Sequence, residues 1–157
     1  MSLGDPAATW ALGTALACAL VGGVLYAFSA FVMRGLADLP PLDGLAAMQS
    51  INRAALHPAV FAPLLLTAAA CVGVGVAGSR AGESWAVAAA ALFVVGTVVV
   101  TGAANVPRNE ALARVEASAP DAAARWRTYL RSWVAWNHVR TSAALAAAVA
   151  LVVAVVT

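Results

Sequence analysis

The chain has 157 residues, of which 63% are hydrophobic and 10% charged, and a mean hydropathy of +0.88. A soluble domain carries roughly a quarter charged residues, so the composition excludes an ordinary soluble fold and predicts an integral membrane protein of one domain, 1–157. The formal net charge of +2 comes from nine Arg, with no Lys, against seven acids; these lie between or at the ends of apolar runs and read as topology, so no nucleic-acid partner is expected.

Apolar stretches of about 20 residues, enough to cross the hydrocarbon, fit four times. The segment from Met1 to Pro6 lacks a basic n-region and a small-residue cleavage site, which predicts a retained first span and no cleaved signal peptide. Span one is expected over about 10–33, ended by Arg34 and then Pro40-Pro41. From Leu42 to His57 the pattern turns amphipathic, with Leu45, Met48, Ile51 and Leu56 at helical spacing, and predicts a short interfacial helix capped by Asp43.

Span two is expected over about 58–77, entered through Pro58, a favourable first-turn residue, and closed by the turn Gly78-Ser79-Arg80-Ala81-Gly82. Span three covers about 85–104. Span four covers about 133–157, with Asp121 to Leu130 as a charged amphipathic lead-in. The expected architecture is therefore all-α, a four-helix membrane bundle whose many Gly and Ala let helices approach closely. No internal repeat of 20 to 50 residues is visible, and a homo-oligomer is left open. Cys18 and Cys71 stand singly in apolar surroundings, without CxxC spacing, and read as small buried thiols.

The first and third connections hold Arg34, Arg53, Arg108, Arg114, Arg125, Arg127 and Arg131, whereas the second holds only Arg80. The positive-inside rule then makes the first and third connections cytoplasmic and turns both termini outward. On this topology every polar cluster lies at one end of the bundle, which points to a pocket near the cytoplasmic leaflet and away from a full-depth pore.

Two clusters stand out: Asn105-Val106-Pro107-Arg108-Asn109, and Trp136-Asn137-His138-Val139-Arg140. Polar side chains at membrane depth are a functional-site hypothesis by default. Trp133, Trp136, Asn137 and Arg140 fall at i, i+3, i+4 and i+7, one face of a helix, and His138 borders it. An interfacial belt explains Trp and Arg equally well, but it does not need Asn137 or His138. Pro107 either starts a helix or kinks one, and residue 106 is biased away from the right-handed helical region. Asn105 and Asn109 then either cap the break or orient a ligand through their amides.

With two His in all, a three-His metal centre is excluded, and the acids lie in connections or tails, which argues against a di-metal carboxylate bundle. No metal site is expected. A haem held by His138 or His57 is compatible with this inventory, although an interfacial His57 is usually uneventful.

Tyr26 to Met33, Gly44 to Asn52, NVPRN at 105–109, Trp126, and WVAWNHVRT at 133–141 occur in the same order as in the anthrone-oxygenase-like family of small four-span membrane proteins, which the chain resembles. WNxxR together with NxPxN carries the likeness. The resemblance implies oxidation of a hydrophobic polycyclic anthrone by O2, its central CH2 becoming a carbonyl. The usual pattern is NVPLN, and Arg108 departs from it, which bears on the substrate more than on the fold.

Such chemistry needs a base to take a proton from carbon, and His is the usual one near neutral pH, so His138 is the expected base. Asn137, Asn105 and Asn109 would hold the developing oxyanion, with Arg140 adding positive charge. Trp133, Trp136, Phe28 and Phe31 would supply flat walls, and Asn52 would approach the same substrate. O2 is the cosubstrate, in a cofactor-free or haem-assisted form, and the substrate enters sideways from the bilayer. The competing expectation is a non-catalytic membrane protein, a small transporter or assembly partner, in which the same Asn, His and Arg lock helices together.

Overall fold

The computed structural model describes residues 5–157, so Met1 to Gly4 of the leading segment lie outside the described residues. Five helices follow one another: α1 (Pro6–Ala37), α2 (Pro41–Ala55), α3 (Pro58–Ala81), α4 (Ser84–Ala113) and α5 (Ala122–Val156). Four of them, all but α2, are long and apolar enough to cross a membrane. The fold is all-helical among the described residues, an integral membrane bundle.

Asp5 starts α1 by accepting from the Ala7 N–H at 2.9 Å, with Pro6 in the first turn, where its missing N–H costs nothing. The helix runs past Arg34, where the sequence suggested an end. A single Arg at the membrane surface reaches water without breaking a helix; the stop comes from Pro40-Pro41, because a residue before proline avoids the helical region. Asp43 does not cap α2, whose N-cap is Pro40. It lies in the first turn instead, where a carboxylate favours the helix dipole.

The amphipathic helix α2 packs Leu45 and Met48 inward, and Gly44 permits its contact with α5: a Cβ there would sit 3.0 Å from the Trp126 ring and 2.6 Å from the Leu36 carbonyl. Gln49 Nε2 donates to the Leu112 and Val115 carbonyls at 2.9 and 3.0 Å, tying α2 to the end of α4. His57 caps α3 through Nδ1, which accepts from the Ala59 N–H at 3.3 Å. At the other end Gly82 adopts φ +79° and the Glu83 N–H reaches the Gly78 carbonyl at 2.8 Å, the Schellman closure expected of a tight helical hairpin.

The charged lead-in to span four is helical from Ala122 and runs straight into the span. It forms one continuous 35-residue helix with the span, about 52 Å long at 1.5 Å per residue, so it outreaches a hydrocarbon core of about 30 Å. This helix is the axis of the bundle: half of its apolar window is buried, against 22% for each of the other spans. Its buried residues Trp126, Tyr129, Trp133, Asn137, Arg140, Ala144, Ala147, Leu151 and Ala154 repeat every three or four positions, one inward stripe.

The stripe divides the core in two. Towards the C-terminus it meets Ala8, Ala11, Ala15 and Cys18 of α1, Cys71 and Val74 of α3, and Ala86, Ala89 and Phe93 of α4. Small side chains bring these backbones close, as apolar bundles in lipid require. Cys18 and Cys71, far apart in sequence, face each other there as free buried thiols with Sγ atoms 3.4 Å apart. Towards its N-terminus the stripe meets Met33, Leu45, Met48, Leu112 and Val115. The polar residues occupy the zone between.

Candidate functional site

Widened helical turns bring backbone and side chains together in that zone. In α1 the Phe28–Val32 turn is π-helical, with the Met33 N–H bonded to the Phe28 carbonyl, and in α4 the stretches Leu92–Val99 and Thr101–Asn105 are likewise π-helical, with the Val106 N–H on the Thr101 carbonyl. Such turns are rare and frequent at functional sites. Val106 is right-handed helical despite preceding proline; the π turn before Pro107 absorbs the missing N–H bond and the ring's bulk. Pro107 neither ends the helix nor separates its two asparagines.

Asn137, fully buried on α5, reaches α1. Its Nδ2 donates to the Leu25 carbonyl and to the Ser29 hydroxyl, both at 2.7 Å, while its Oδ1 accepts from Arg140 Nη2 at 2.5 Å. The amide's orientation is fixed by these partners, because guanidinium offers no acceptor and a carbonyl no donor. Arg140 Nη1 donates to Thr101 Oγ1 at 3.1 Å, and the guanidinium lies 5.3 Å from the centre of the Trp133 ring. Among the described residues its charge has no carboxylate partner, the one ion pair being the exposed Arg125–Asp121. Arg140 Nε is buried and unpartnered.

A second polar layer sits nearer the Arg-rich end. Asn109 Oδ1 accepts from Tyr129 Oη and Trp133 Nε1, both at 2.9 Å, and Asn52 Nδ2 approaches Tyr129 Oη at 3.4 Å. Asn105 Nδ2 donates to the Trp133 carbonyl at 3.3 Å, leaving its buried Oδ1 without a partner. Neither asparagine caps a helix end. Buried polar atoms normally find partners, so Asn105 Oδ1 and Arg140 Nε mark a zone whose hydrogen bonding the protein alone does not complete.

His138 faces elsewhere. It is exposed to a groove of about 570 Å³ between α1 and α5, lined by Ser29, Met33, Arg34, Ala37, Arg127, Leu130, Arg131, Val134 and His138, a volume within the range of small-molecule sites. A smaller groove of about 380 Å³ lies across α5, between it and the end of α4; Arg108 and Tyr129 line it, and neither His138 nor Ser29 does.

Of the residues singled out by sequence, the structure thus assembles Asn137 with Arg140, and Asn109 with Trp133 and Asn52 through Tyr129, with Asn105 against the Trp133 backbone. Phe28 joins them, its ring 5.9 Å from that of Trp133. Trp136 is not on the inward face: it is 39% exposed, one position round from Asn137, and Arg108 covers its ring at 5.7 Å. Phe31, 65% exposed, also faces outward. Arg108, the departure from NVPLN, folds back on its own helix to the Ala104 carbonyl at 2.6 Å. His57 is exposed at the α3 cap and is not among the groove's residues, so the two His do not line one groove for a doubly ligated haem. Among the described residues no cluster of three or more His, Cys, Asp or Glu could hold a metal ion.

Three participants escaped the sequence reading. Ser29 and Thr101 look like isolated hydroxyls in apolar helices, which usually bond back to their own backbone. Tyr129 was legible in principle, since it lies four residues before Trp133 on the buried stripe.

No curated protein and no solved structure matches the chain. The anthrone oxygenase family matches residues 48–150, more than half of the sequence. That range begins after the Tyr26–Met33 string but contains NVPRN, Tyr129 and the WNHVR segment, so it covers the α4 and α5 side of both polar layers. By this match the chain belongs to the anthrone oxygenase family.

Proposed function

We propose that the protein is a membrane-bound oxygenase or oxidase that uses O2 to oxidise a hydrophobic polycyclic aromatic substrate held in the groove between α1 and α5. One observation carries this reading: a chain of hydrogen bonds, all donating in the same direction, leads from a buried cation to the groove. Arg140 donates to Asn137, Asn137 donates to Ser29, and the Ser29 hydroxyl, which donates to no protein acceptor among the described residues, lines the groove beside His138. Donors in series polarise one another, so the hydroxyl, itself buried, becomes a strengthened and preorganised donor towards an oxyanion.

The reaction then divides between the two walls. His138 takes a proton from the central CH2 of an anthrone, and the negative charge moves across the central ring to the carbonyl oxygen, which becomes an enolate oxyanion stabilised by the Ser29 hydroxyl and the uncompensated charge of Arg140. The electron-rich anion reacts with O2; the CH2 carbon loses two hydrogens and gains one oxygen, and the second oxygen atom leaves as water. Asn105 and Asn109 support this site from behind through Trp133, whose ring packs between Phe28 and Arg140. The seven Arg of the first and third connections support a cytoplasmic position for this end, with both termini outward.

The Asn109 layer favours a second role for part of the cluster. Every bond it makes joins α4 or α2 to α5, the arrangement of an interhelical lock.

The test is oxygen uptake by the detergent-purified protein supplied with anthrone, corrected for autoxidation by a heat-inactivated sample. Uptake that falls to the corrected baseline in Ser29→Ala and His138→Ala, with helical circular dichroism unchanged, supports the assignment. Uptake by the native protein at the baseline, or full uptake in both variants, refutes it. An absorption spectrum of the same preparation separates haem-assisted from cofactor-free chemistry.

A further inference from the structure

The mouth of the groove is more basic than oxidation of a neutral aromatic requires. Arg127 and Arg131 lie four residues apart on α5, so they share a face, and Arg34 approaches from α1 across the groove. Like charges at this spacing oppose helix formation. Among the described residues none of the three makes an ion pair or a side-chain hydrogen bond: Asp38, one turn beyond Arg34, is not within ion-pair distance, and Asp121 is taken by Arg125. Three unpaired guanidiniums around one opening lack a counter-charge.

We propose that the groove recognises a substrate bearing an acidic group, whose anion sits among Arg34, Arg127 and Arg131 while its aromatic body lies along Met33, Leu130 and Val134 towards His138. The inference rests on the reading of this groove as the substrate site. His138 is seven residues beyond Arg131, about 10 Å along the helix at 1.5 Å per residue, the scale of three fused rings. An acid at one end of such a molecule therefore leaves its reacting carbon near the imidazole. Guanidinium suits this task because its planar fork matches a carboxylate with two parallel bonds. The inner end of the groove decides between a substrate and an anionic lipid, which basic pockets between membrane helices also attract. Ser29 and His138 are polar groups among apolar walls, and an acyl chain would leave both unsatisfied, whereas a phenolic or ketonic oxygen satisfies them.

Anthraquinone-2-carboxylate and the matching neutral carboxamide, neither of which can turn over, separate the alternatives by quenching of tryptophan fluorescence in neutral detergent. The acid is expected to bind about tenfold more tightly than the amide, with the preference reduced to about twofold in the double variant R127Q/R131Q and kept in Arg80→Gln at the opposite end. Equal affinity for acid and amide in the native protein overturns the proposal, as does a preference that survives R127Q/R131Q. So does loss of the preference when phosphatidylglycerol is added in excess, which would assign the mouth to a lipid headgroup. Oxygen uptake is scored separately with the corresponding carboxylated and neutral anthrones. Selective acid binding without uptake removes the oxygenase reading and leaves the anion site standing; equal uptake from both anthrones does the reverse.

Discussion

Asn137 and Ser29, 108 residues apart in sequence, meet at 2.7 Å in the middle of the bundle, and through this contact the buried Arg140 is linked to the groove. Removing the amide in Asn137→Leu would leave one Arg140 N–H unpartnered and strip the Leu25 carbonyl of its second donor, the Phe28 N–H remaining. An orphaned buried group costs about 1–3 kcal/mol, so the midpoint of unfolding in mixed detergent should fall clearly. Ser29→Ala keeps the bond from Asn137 to Leu25 and should cost less than about 1 kcal/mol, yet it should abolish oxygen uptake. Similar stability losses in both variants would show that the contact serves the fold alone.

The Asn109 layer allows a cleaner measurement of a structural lock. Asn109→Leu strands the Tyr129 hydroxyl and the Trp133 indole N–H, while Tyr129→Phe removes one of these donors together with its need. The two changes should not add: a double-mutant cycle is expected to return a coupling of about 0.5–1.5 kcal/mol. Additivity within about 0.3 kcal/mol would mean that the 2.9 Å bond has no energetic content.

How far the sequence carried this picture depended on the kind of signal. Apolar length found all four spans, because nothing else in a chain of this composition competes with it. It did not give the helix ends: α1 runs past Arg34 to Ala37, and the residues from Ala122 to Leu130 are continuous with the helix of span four, because a long charged side chain does not itself break a helix. Of the four residues placed on one face of α5, Trp133, Asn137 and Arg140 are buried and Trp136 is not: Trp136 and Asn137 both satisfy a helical stripe at sequence level, and only the packing of α1 selects Asn137. The π turns carry no residue signature, so the meeting of Ser29 with Asn137 and of Thr101 with Arg140 was invisible. His138 lines the groove but lies off the inward stripe that carries Arg140, with Ser29 as the bridge that sequence reading lacked.

Close approach in the apolar half of the core makes a separate prediction. A Cβ on Gly75 of α3 would lie 2.6 Å from the Cβ of Ala90 on α4, closer than real Cβ atoms come, so Gly75→Ala should force the hairpin apart at a cost of about 1–3 kcal/mol. Adding Ala90→Gly removes the opposing methyl and should restore most of the loss, as read by the unfolding midpoint. No rescue in the double variant would mean that the two helices are not in this register.

His138 offers the sharpest separation of chemistry from stability. It is exposed to the groove and makes no side-chain hydrogen bond among the described residues, so His138→Gln, which keeps size and polarity, should leave the unfolding midpoint within about 0.5 kcal/mol of the native value, as surface substitutions do. A glutamine cannot accept a proton from carbon. General-base catalysis contributes about 10²–10⁴-fold, and oxygen uptake on an anthrone should fall by that factor, while affinity for a non-reacting anthraquinone stays near the native value because Ser29 and the groove walls are untouched. A variant that bound anthraquinone normally and kept its uptake would transfer the base to another group. One that lost binding and uptake together would make His138 a wall of the groove and not its base.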